Sequence, residues 1–309
     1  MNLQNACAHF LESCRRERQL AANTLAAYRQ DLAEFSRFFP DRAIAGIGGE
    51  ELVGYAQHLR SERKLAPATV KRRLACLKAM FGRLRRQGVV RETPFAGIDL
   101  CIRLPQRLPR CLQGEEARGL LQAAESAGAT ARLAALLLFA TGMRIGELAA
   151  VRIEDIDLEQ RSIRIFGKGS RERQVFLPNH GIAAAVREYV AARPSDADGA
   201  AAEQGLQARA GRLLVNARGR PASAACLRAH IKALGRKAGL GRRITPHMLR
   251  HTAATALMEA GVDIRLVQRL LGHQSISTTQ IYTHVSDRTL KAAIVAANVL
   301  RLGEGRGVD

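Results

Sequence analysis

The sequence predicts a mostly α-helical protein with one small antiparallel β-sheet, organised as two domains. The first hundred residues repeat apolar side chains at the three- and four-residue spacing of amphipathic helices. This spacing stops at residues 99–112, where Pro105 and Pro109 occur. Helical spacing then returns, and residues 156–177 contain short stretches that alternate apolar and polar side chains as β-strands do. We therefore expect a helical domain, a linker and a larger α+β domain.

The helix that begins near Pro67 is the clearest element of the first domain. One face is apolar at i, i+4, i+7, i+11 and i+14: Val70, Leu74, Leu77, Phe81 and Leu84. Basic residues recur every seven positions along its flank, at Lys71, Lys78 and Arg85, and Arg72 adds another positive charge. Such a helix could lie along DNA phosphates, although the same pattern fits a solvated helix face. These four residues are our candidate DNA contacts.

The proline-containing segment sets the domain boundaries, because proline removes a backbone donor and disfavours helix in the residue before it. We predict a helical domain at 1–100, a linker at 101–111 and a second domain at 112–309. Within the second domain, residues 163–166 and 174–177 flank the glycine-containing sequence GKGSRE and are predicted to pair as a hairpin.

The charge of the chain points to a polyanionic partner. Its 48 Lys and Arg residues outnumber 28 Asp and Glu residues, which gives a net charge of +20, and both halves are basic. This balance most often indicates nucleic acid binding, although a basic proteome would produce similar surfaces. The chain lacks a run of about 18 apolar residues and its first residues lack signal-peptide order, so we expect a cytoplasmic protein without a membrane partner. No two of the six cysteines have C-x-x-C spacing, and we expect reduced, mostly buried thiols.

Cationic and polar side chains cluster in four stretches of the second domain: TGMRIGEL (141–148), FGKGSRERQVFLP (166–178), TPHMLRHTAATALMEAGVDIRLVQRLLGH (245–273) and STTQIYTHV (277–285). His247 and His251 have the i, i+4 spacing of a helical zinc pair, but Met248 occupies the position where such a metalloprotease motif has Glu. The chain also contains neither G-x-S-x-G nor a P-loop. We therefore predict no metal and no cofactor.

Arginine, histidine, lysine and tyrosine together suit attack on a phosphodiester without a metal. Guanidinium groups bind phosphate oxygens in pairs and can neutralise the charge of the transition state. A tyrosine with pKa ~10 needs about 4 kcal/mol to reach phenolate at pH 7, so a histidine base or nearby cations must lower that cost. A lysine on a hairpin could protonate the leaving oxygen. Spacing alone leaves open whether these groups meet.

The four stretches resemble the tyrosine recombinase (phage integrase) family, and within it the Xer-type recombinases of bacteria. The segment PHMLRHTAATALMEAGVDIRLVQRLLGHQSISTTQIYTHV joins HxxR, LGH and a tyrosine nine residues further on. The sequences ERQLAANTLAAYRQDLAEF and APATVKRRLACLKAMF are similar to the helical core-binding domain of that family. The resemblance implies a SAM-like N-terminal domain followed by an α+β catalytic domain.

Several residues would bind the scissile phosphate if this resemblance holds. Arg144 and Arg250 would clamp it, and His273 would donate a hydrogen bond to it. Glu147 occupies an acidic position in the arginine motif and would support the site rather than react.

The remaining implied roles concern proton transfer and the nucleophile. Lys168 would be the general acid for the 5′-oxygen, with Arg171 and Arg173 as nearby alternatives. His247 would act as acid or base, toward Tyr282. Attack by Tyr282 would give a 3′-phosphotyrosyl link and a free 5′-hydroxyl without metal or ATP, and exchange with a second duplex would pass through a Holliday junction.

The resemblance also implies an assembly. Four protomers, either identical or shared with a sister recombinase, would act on two double-stranded sites with inverted half-sites, in the bacterial nucleoid. The stretch TLKAAIVAANVLRLG fits a C-terminal helix that docks on a partner protomer, although it could instead dock on its own domain.

Other functions remain open from the sequence. A type IB topoisomerase shares the nucleophile and the cations but relaxes supercoils without exchange, and a non-catalytic DNA-binding protein could use the same scaffold. Among recombinases, an Xer enzyme that resolves chromosome or plasmid dimers competes with an integrase of a mobile element.

Overall fold

A computed structural model describes residues 1–17, 20, 22–104, 111–166, 172–193, 211–272 and 287–297, with backbone alone for 22, 23 and 287–290. The chain divides into two compact units, Met1–Arg107 and Leu108–Asp309. The division lies inside the segment 101–111 that the prolines mark as a linker.

The described part of the first unit is helical. Its α-helices are α1 (Leu3–Arg16), α2 (Ala22–Phe38), α3 (Gly49–Ser61) and α4 (Pro67–Arg86), with a 3-10 turn at Ile44–Gly46. Pro67 opens α4, where its missing N–H is not needed for the helix. The predicted apolar face of α4 is buried over its full length and packs with Phe10, Phe35 and Tyr55 into one core. The amphipathic pattern of this helix is therefore confirmed.

The described part of the second unit contains eight α-helices and a three-stranded antiparallel sheet. The helices are α5 (Gly114–Glu125), α6 (Ala129–Thr141), α7 (Ile145–Ala150), α8 (His180–Ala191), α9 (Ala224–Lys237), α10 (Pro246–Glu259), α11 (Ile264–Leu271) and α12 (Asp287–Ala297). The strands are β1 (Ile156–Asp157), β2 (Ser162–Phe166) and β3 (Glu172–Phe176), in the order β1-β2-β3, and a 3-10 turn spans Ile153–Asp155. The predicted fold class, mostly helical with a small antiparallel sheet, is confirmed.

Helix α6 lies in the core of this unit. Its sequence, ATARLAALLLFAT, is apolar almost all round, and a helix of that kind is stable in water only when other elements surround it. Helix α12 adds Ile294 to the same core, and Lys291 donates a 3.4 Å hydrogen bond to Gln160. In this structure α12 therefore packs on its own unit.

The predicted hairpin is present, but its second strand begins earlier than expected. Strand β3 starts at Glu172 rather than at residue 174, and Ile165 pairs with Arg173 while Ile163 pairs with Val175. Alternation puts Arg173 on the same inward face as Val175. The apolar pattern missed this start because a charged residue occupies an inward position.

The cysteines are free thiols that lie in buried, half-buried and exposed positions. Of the six cysteines, all of which are described, Cys7, Cys14 and Cys76 are buried and Cys101 is exposed, and no disulfide links them. Half of the thiols are therefore buried, whereas the sequence predicts that most of them are.

No helix in the described ranges is both long and apolar enough to span a membrane.

Candidate active site

Arg144 lies at a sharp turn between two helices. Helix α6 ends at Gly142, whose left-handed φ of 60° terminates the helix, and Arg144 then caps the start of α7. A Cβ on Gly142 would lie 2.7 Å from Leu271 Cδ2, so the close approach of α11 also requires glycine here. The TGMR sequence thus fixes the position of Arg144 at the turn between α6 and α7.

Glu147 is the acidic centre of the site. It is 8% exposed and accepts from the backbone N of Arg144 at 2.7 Å and from Arg144 Nη1 at 2.9 Å. Arg173 of β3 adds two parallel hydrogen bonds, Nη1 to Oε1 and Nη2 to Oε2, both at 2.8 Å. Burial alone would raise the pKa of Glu147, but the hydrogen bonds from Arg173 and Arg144 outweigh it and lower that pKa below its usual value.

Three arginines meet three consecutive carbonyls at the end of α11. Arg173 Nε donates to Leu270 O at 3.0 Å, and Arg250 Nη2 donates to Leu271 O at 2.6 Å. Arg144 Nη2 donates to Gly272 O at 2.8 Å. The last carbonyls of a helix have no partner within the helix and carry its partial negative charge, so cations are favoured there.

Arg250 is the most buried of the three arginines, at 5% exposure. Its Nη1 donates to Gly142 O at 2.7 Å, so the guanidinium links the ends of α6 and α11. Burial, and then the positive charge of Arg144, lower the pKa of Arg250 to about 10, which leaves it protonated at neutral pH. The site therefore holds a buried, fixed cation.

His247 lies one turn before Arg250 on α10, directly after Pro246. Its side chain is exposed. Partial desolvation, followed by the charges of Arg250, His251, Arg144 and Arg228, lowers the pKa of His247 below its usual value. A neutral imidazole at pH 7 can accept a proton, which is the state a base needs.

The structure brings together three of the six residues proposed for catalysis: Arg144, His247 and Arg250. Lys168, His273 and Tyr282 lie outside the described residues. The described ranges contain no cluster of three or more His, Cys, Asp or Glu residues able to hold a metal ion.

Sequence reasoning missed part of the site. It treated Arg173 as an alternative to Lys168, whereas the structure engages its Nε, Nη1 and Nη2 with Leu270 and Glu147. The three carbonyls of α11 carry no signal in the sequence. Only the glycine of LGH indicates where these carbonyls lie, because a glycine is common at the end of a helix, and Gly272 ends α11 with a left-handed φ of 64°.

Comparison with known proteins decides the family. The model of the phage integrase family matches residues 110–289, and that of the phage integrase N-terminal SAM-like domain matches residues 8–88. The chain belongs to the phage integrase family. It is a site-specific tyrosine recombinase, an enzyme that breaks and rejoins DNA.

Relatives of known name support this assignment, and their similarity extends over nearly the whole length of this chain. Tyrosine recombinase XerC of Roseiflexus sp. (strain RS-1) is 39% identical over 90% of this chain and 88% of its own. XerH site-specific recombinase, solved with its difH substrate in a pre-cleavage complex, is 27% identical with a TM-score of 0.65, over 93% of this chain and 83% of its own. Lambda integrase residues 75–356, solved as a dimer on a COC′ core site, share the fold at 19% identity and a TM-score of 0.70, over 91% of this chain and 100% of theirs.

The first unit of the recombinase presents the basic stripe of α4 to solvent. Lys71, Arg72, Lys78 and Arg85 are all exposed. Arg72 also forms an ion pair with the buried carboxylate of Asp31 on α2. Burial raises the pKa of Asp31, and the charge of Arg72 opposes that rise. Arg72 is thereby held at one place on the helix face.

Proposed function

We propose that this recombinase cuts duplex DNA through attack of Tyr282 on a scissile phosphate held by Arg144 and Arg250, without metal or ATP. The observation that carries this proposal is the anchoring of both guanidinium groups on neighbouring carbonyls of α11. Within the described ranges, the hydrogen bonds of Arg250 go to neutral carbonyls, so its positive charge is not cancelled by a hydrogen-bonded carboxylate. A fixed cation is what a transition state of growing negative charge requires.

The remaining roles follow from the chemistry of each side chain. His247, with its lowered pKa, accepts the phenolic proton of Tyr282 as the tyrosine oxygen bonds to phosphorus. Lys168 donates a proton to the departing 5′-oxygen, and His273 donates a hydrogen bond to the phosphate. The bond that breaks leaves a free 5′-hydroxyl, and the bond energy stays in the 3′-phosphotyrosyl link. Attack on that link by the hydroxyl of a second duplex restores the phosphodiester and forms a Holliday junction.

We further propose how the protomers assemble on DNA and which part of the chain carries each role. Residues 1–100 and the stripe on α4 contact DNA, residues 112–309 carry catalysis, and four protomers act on two sites with inverted half-sites in the bacterial nucleoid. Support comes from the family match over both regions and from the similarity to XerH, a recombinase solved in complex with its difH substrate. In the assembly the C-terminal helix would leave its own unit, on which α12 packs in this structure, and dock on a neighbouring protomer, which is either a second copy of this chain or a sister recombinase.

A covalent trap tests the proposal. The protein is incubated with fragmented genomic DNA of its host, the reaction is stopped with SDS, and the ends of the protein-linked DNA are sequenced beside a Tyr282→Phe control. We expect Tyr282-dependent adducts at an inverted-repeat site. One site per chromosome would indicate dimer resolution, and sites at the ends of an element would indicate integration or excision. Adducts scattered without preference would contradict the proposal in favour of a topoisomerase, and no adducts with the wild-type protein would contradict catalysis.

A further inference from the structure

Arg173 joins two parts of the site that carry catalytic side chains. Its guanidinium binds Glu147 with two hydrogen bonds of 2.8 Å, and its Nε binds Leu270 O at 3.0 Å. The side chain is only 16% exposed although it belongs to a short strand at the hairpin. It therefore links β3 both to the turn that bears Arg144 and to the end of α11.

The acceptor capacity of Glu147 is filled by two arginines. Oε1 accepts from Arg144 Nη1 and Arg173 Nη1, while Oε2 accepts from the backbone N of Arg144 and from Arg173 Nη2. An ionised carboxylate offers about four lone-pair positions, so four donors saturate it. Loss of Arg173 would leave two of these positions empty on a buried charge, which is costly.

Gly272 permits this close packing. A Cβ at residue 272 would lie 3.1–3.3 Å from three guanidinium atoms of Arg173, and its φ of +64° already disfavours other residues. The carbonyl of the same glycine receives Arg144 Nη2. Arg144 is thus held on one side by Glu147 and on the other by Gly272, and Arg173 packs against both of these partners.

We propose that Arg173 is a positioning residue for DNA cleavage: acting through Glu147 and the end of α11, it fixes the orientation of the Arg144 guanidinium that receives the scissile phosphate. The proposal rests on the function proposed above. Each of the three guanidinium nitrogens of Arg173 donates a hydrogen bond within the protein, so the contribution we assign to it is geometric, without contact with the reacting atoms.

The charges around Glu147 make the pH dependence of cleavage a suitable measurement, because it would not change if Arg173 only stabilised the fold. Among the described residues, Arg144 from its own turn, Arg173 from β3 and Arg250 from α10 are the charged groups that act on it. Removal of Arg173 withdraws one cation and two hydrogen bonds while burial remains, so the pKa of Glu147 rises. Cleavage by an Arg173 variant should then weaken as the pH falls, at a higher pH than in the wild type, because protonated Glu147 accepts fewer hydrogen bonds from Arg144.

The test compares Arg173→Gln, Arg173→Lys, Glu147→Gln and the double variant Arg173→Gln/Glu147→Gln. Arg164→Gln is the matched control, because Arg164 is an exposed arginine of the same hairpin with ion pairs of 3.5 and 3.7 Å. The initial rate of covalent adduct formation on fragmented genomic DNA of the host is measured between pH 5.5 and 8.5, together with DNA binding and thermal unfolding.

We expect Arg173→Gln to slow adduct formation by about 100-fold at pH 7, the typical cost of misplacing a reacting group, with DNA binding changed by less than about threefold. Arg173→Lys keeps the charge but loses the planar fork, so it should be intermediate, and it provides the test if Arg173→Gln does not fold. In Arg173→Gln, protonation of Glu147 should add to the fall in rate that His247 causes at acid pH, so the rate should begin to fall at a higher pH than in the wild type. The double variant should lack this addition, and its loss of rate should fall short of the product of the single losses.

Three results would overturn the inference. Adduct formation by Arg173→Gln at the wild-type rate would remove the role altogether. A slower rate with an unshifted pH profile and fully multiplicative losses would mean that Arg173 acts independently of Glu147. Absence of adducts with the wild-type protein would contradict the proposed function and the inference with it, whereas wild-type adducts with an unaffected Arg173→Gln would contradict the inference alone.

Discussion

Arg250 on α10 donates a 2.7 Å hydrogen bond to the carbonyl of Gly142, which lies 108 residues earlier at the end of α6. Helix α6 ends there because Gly142 adopts a left-handed conformation, and its carbonyl, which has no partner within the helix, then accepts from the buried guanidinium. A conformational property of one glycine thus positions a cation of the candidate active site.

Replacement of Arg250 by lysine should abolish most cleavage. Arg250 reaches Gly142 O and Leu271 O with two different nitrogens, whereas a lysine has a single nitrogen, which cannot lie close enough to both carbonyls and to a phosphate. We expect a 100- to 1,000-fold slower adduct formation, as for the loss of one oxyanion donor at about 3 kcal/mol. Urea unfolding should also show a loss of about 1–3 kcal/mol from the unpaired buried carbonyl. Wild-type rates from Arg250→Lys would contradict the assignment.

The Gly142→Ala variant should lose stability as well as activity. A left-handed alanine costs about 1–2 kcal/mol, and its Cβ would lie 2.7 Å from Leu271 Cδ2, which adds a steric cost. The matched control is Gly146→Ala, because that glycine lies within α7 and a Cβ there meets nothing within 4 Å. Chemical denaturation should therefore show a loss of free energy of unfolding for Gly142→Ala and none for Gly146→Ala. Equal stability of the two variants would show that α11 does not approach α6 as described.

The pH dependence of cleavage should reflect His247. Its pKa lies below the usual histidine value, so the ring stays neutral, and able to accept a proton, to a lower pH than a free histidine. Single-turnover cleavage should be flat from neutral to pH 8 and fall only as the pH drops below about 6.5, the ordinary histidine pKa. His247→Gln should lose this acid limb and react more slowly throughout. An acid limb that persists unchanged in His247→Gln would assign it to another group.

The stripe on α4 should contribute to binding rather than to chemistry. Each of Lys71→Gln, Lys78→Gln and Arg85→Gln should reduce the slope of log K against log salt by about 0.9 if the side chain neutralises one phosphate. Adduct formation at saturating DNA should stay close to wild type. Arg15→Gln, at a residue whose side chain is 70% exposed on α1, is the charge-matched control and should leave the slope unchanged. The same loss in the control and in the stripe variants would indicate a diffuse charge effect.

Much of the fold follows from local patterns, whereas the site depends on contacts between distant residues. The apolar spacing of Val70 to Leu84 predicted α4 and its buried face, since a helix displays every third or fourth residue on one side. The start of β3 was missed because Arg173 is charged yet faces inward, where Glu147 neutralises it. No local pattern reports such a partner 26 residues away.

The candidate site was predictable to the extent that it consists of side chains in motifs. Arg144, His247 and Arg250 were found through TGMR and HMLR, and the structure brings these three together. The carbonyls of Leu270, Leu271 and Gly272 could not be found in this way, because every residue has a carbonyl and only the end of a helix leaves it unpaired.

The central claim is that Tyr282 is the nucleophile, and one measurement tests it directly. The covalent adduct is digested with nuclease and protease, and the peptide that carries a nucleotide remnant is identified by mass spectrometry. Our account predicts a remnant on Tyr282, linked through the 3′-phosphate, with free 5′-hydroxyl ends on the released DNA. A remnant on any other residue, or a linkage through a 5′-phosphate, would contradict it.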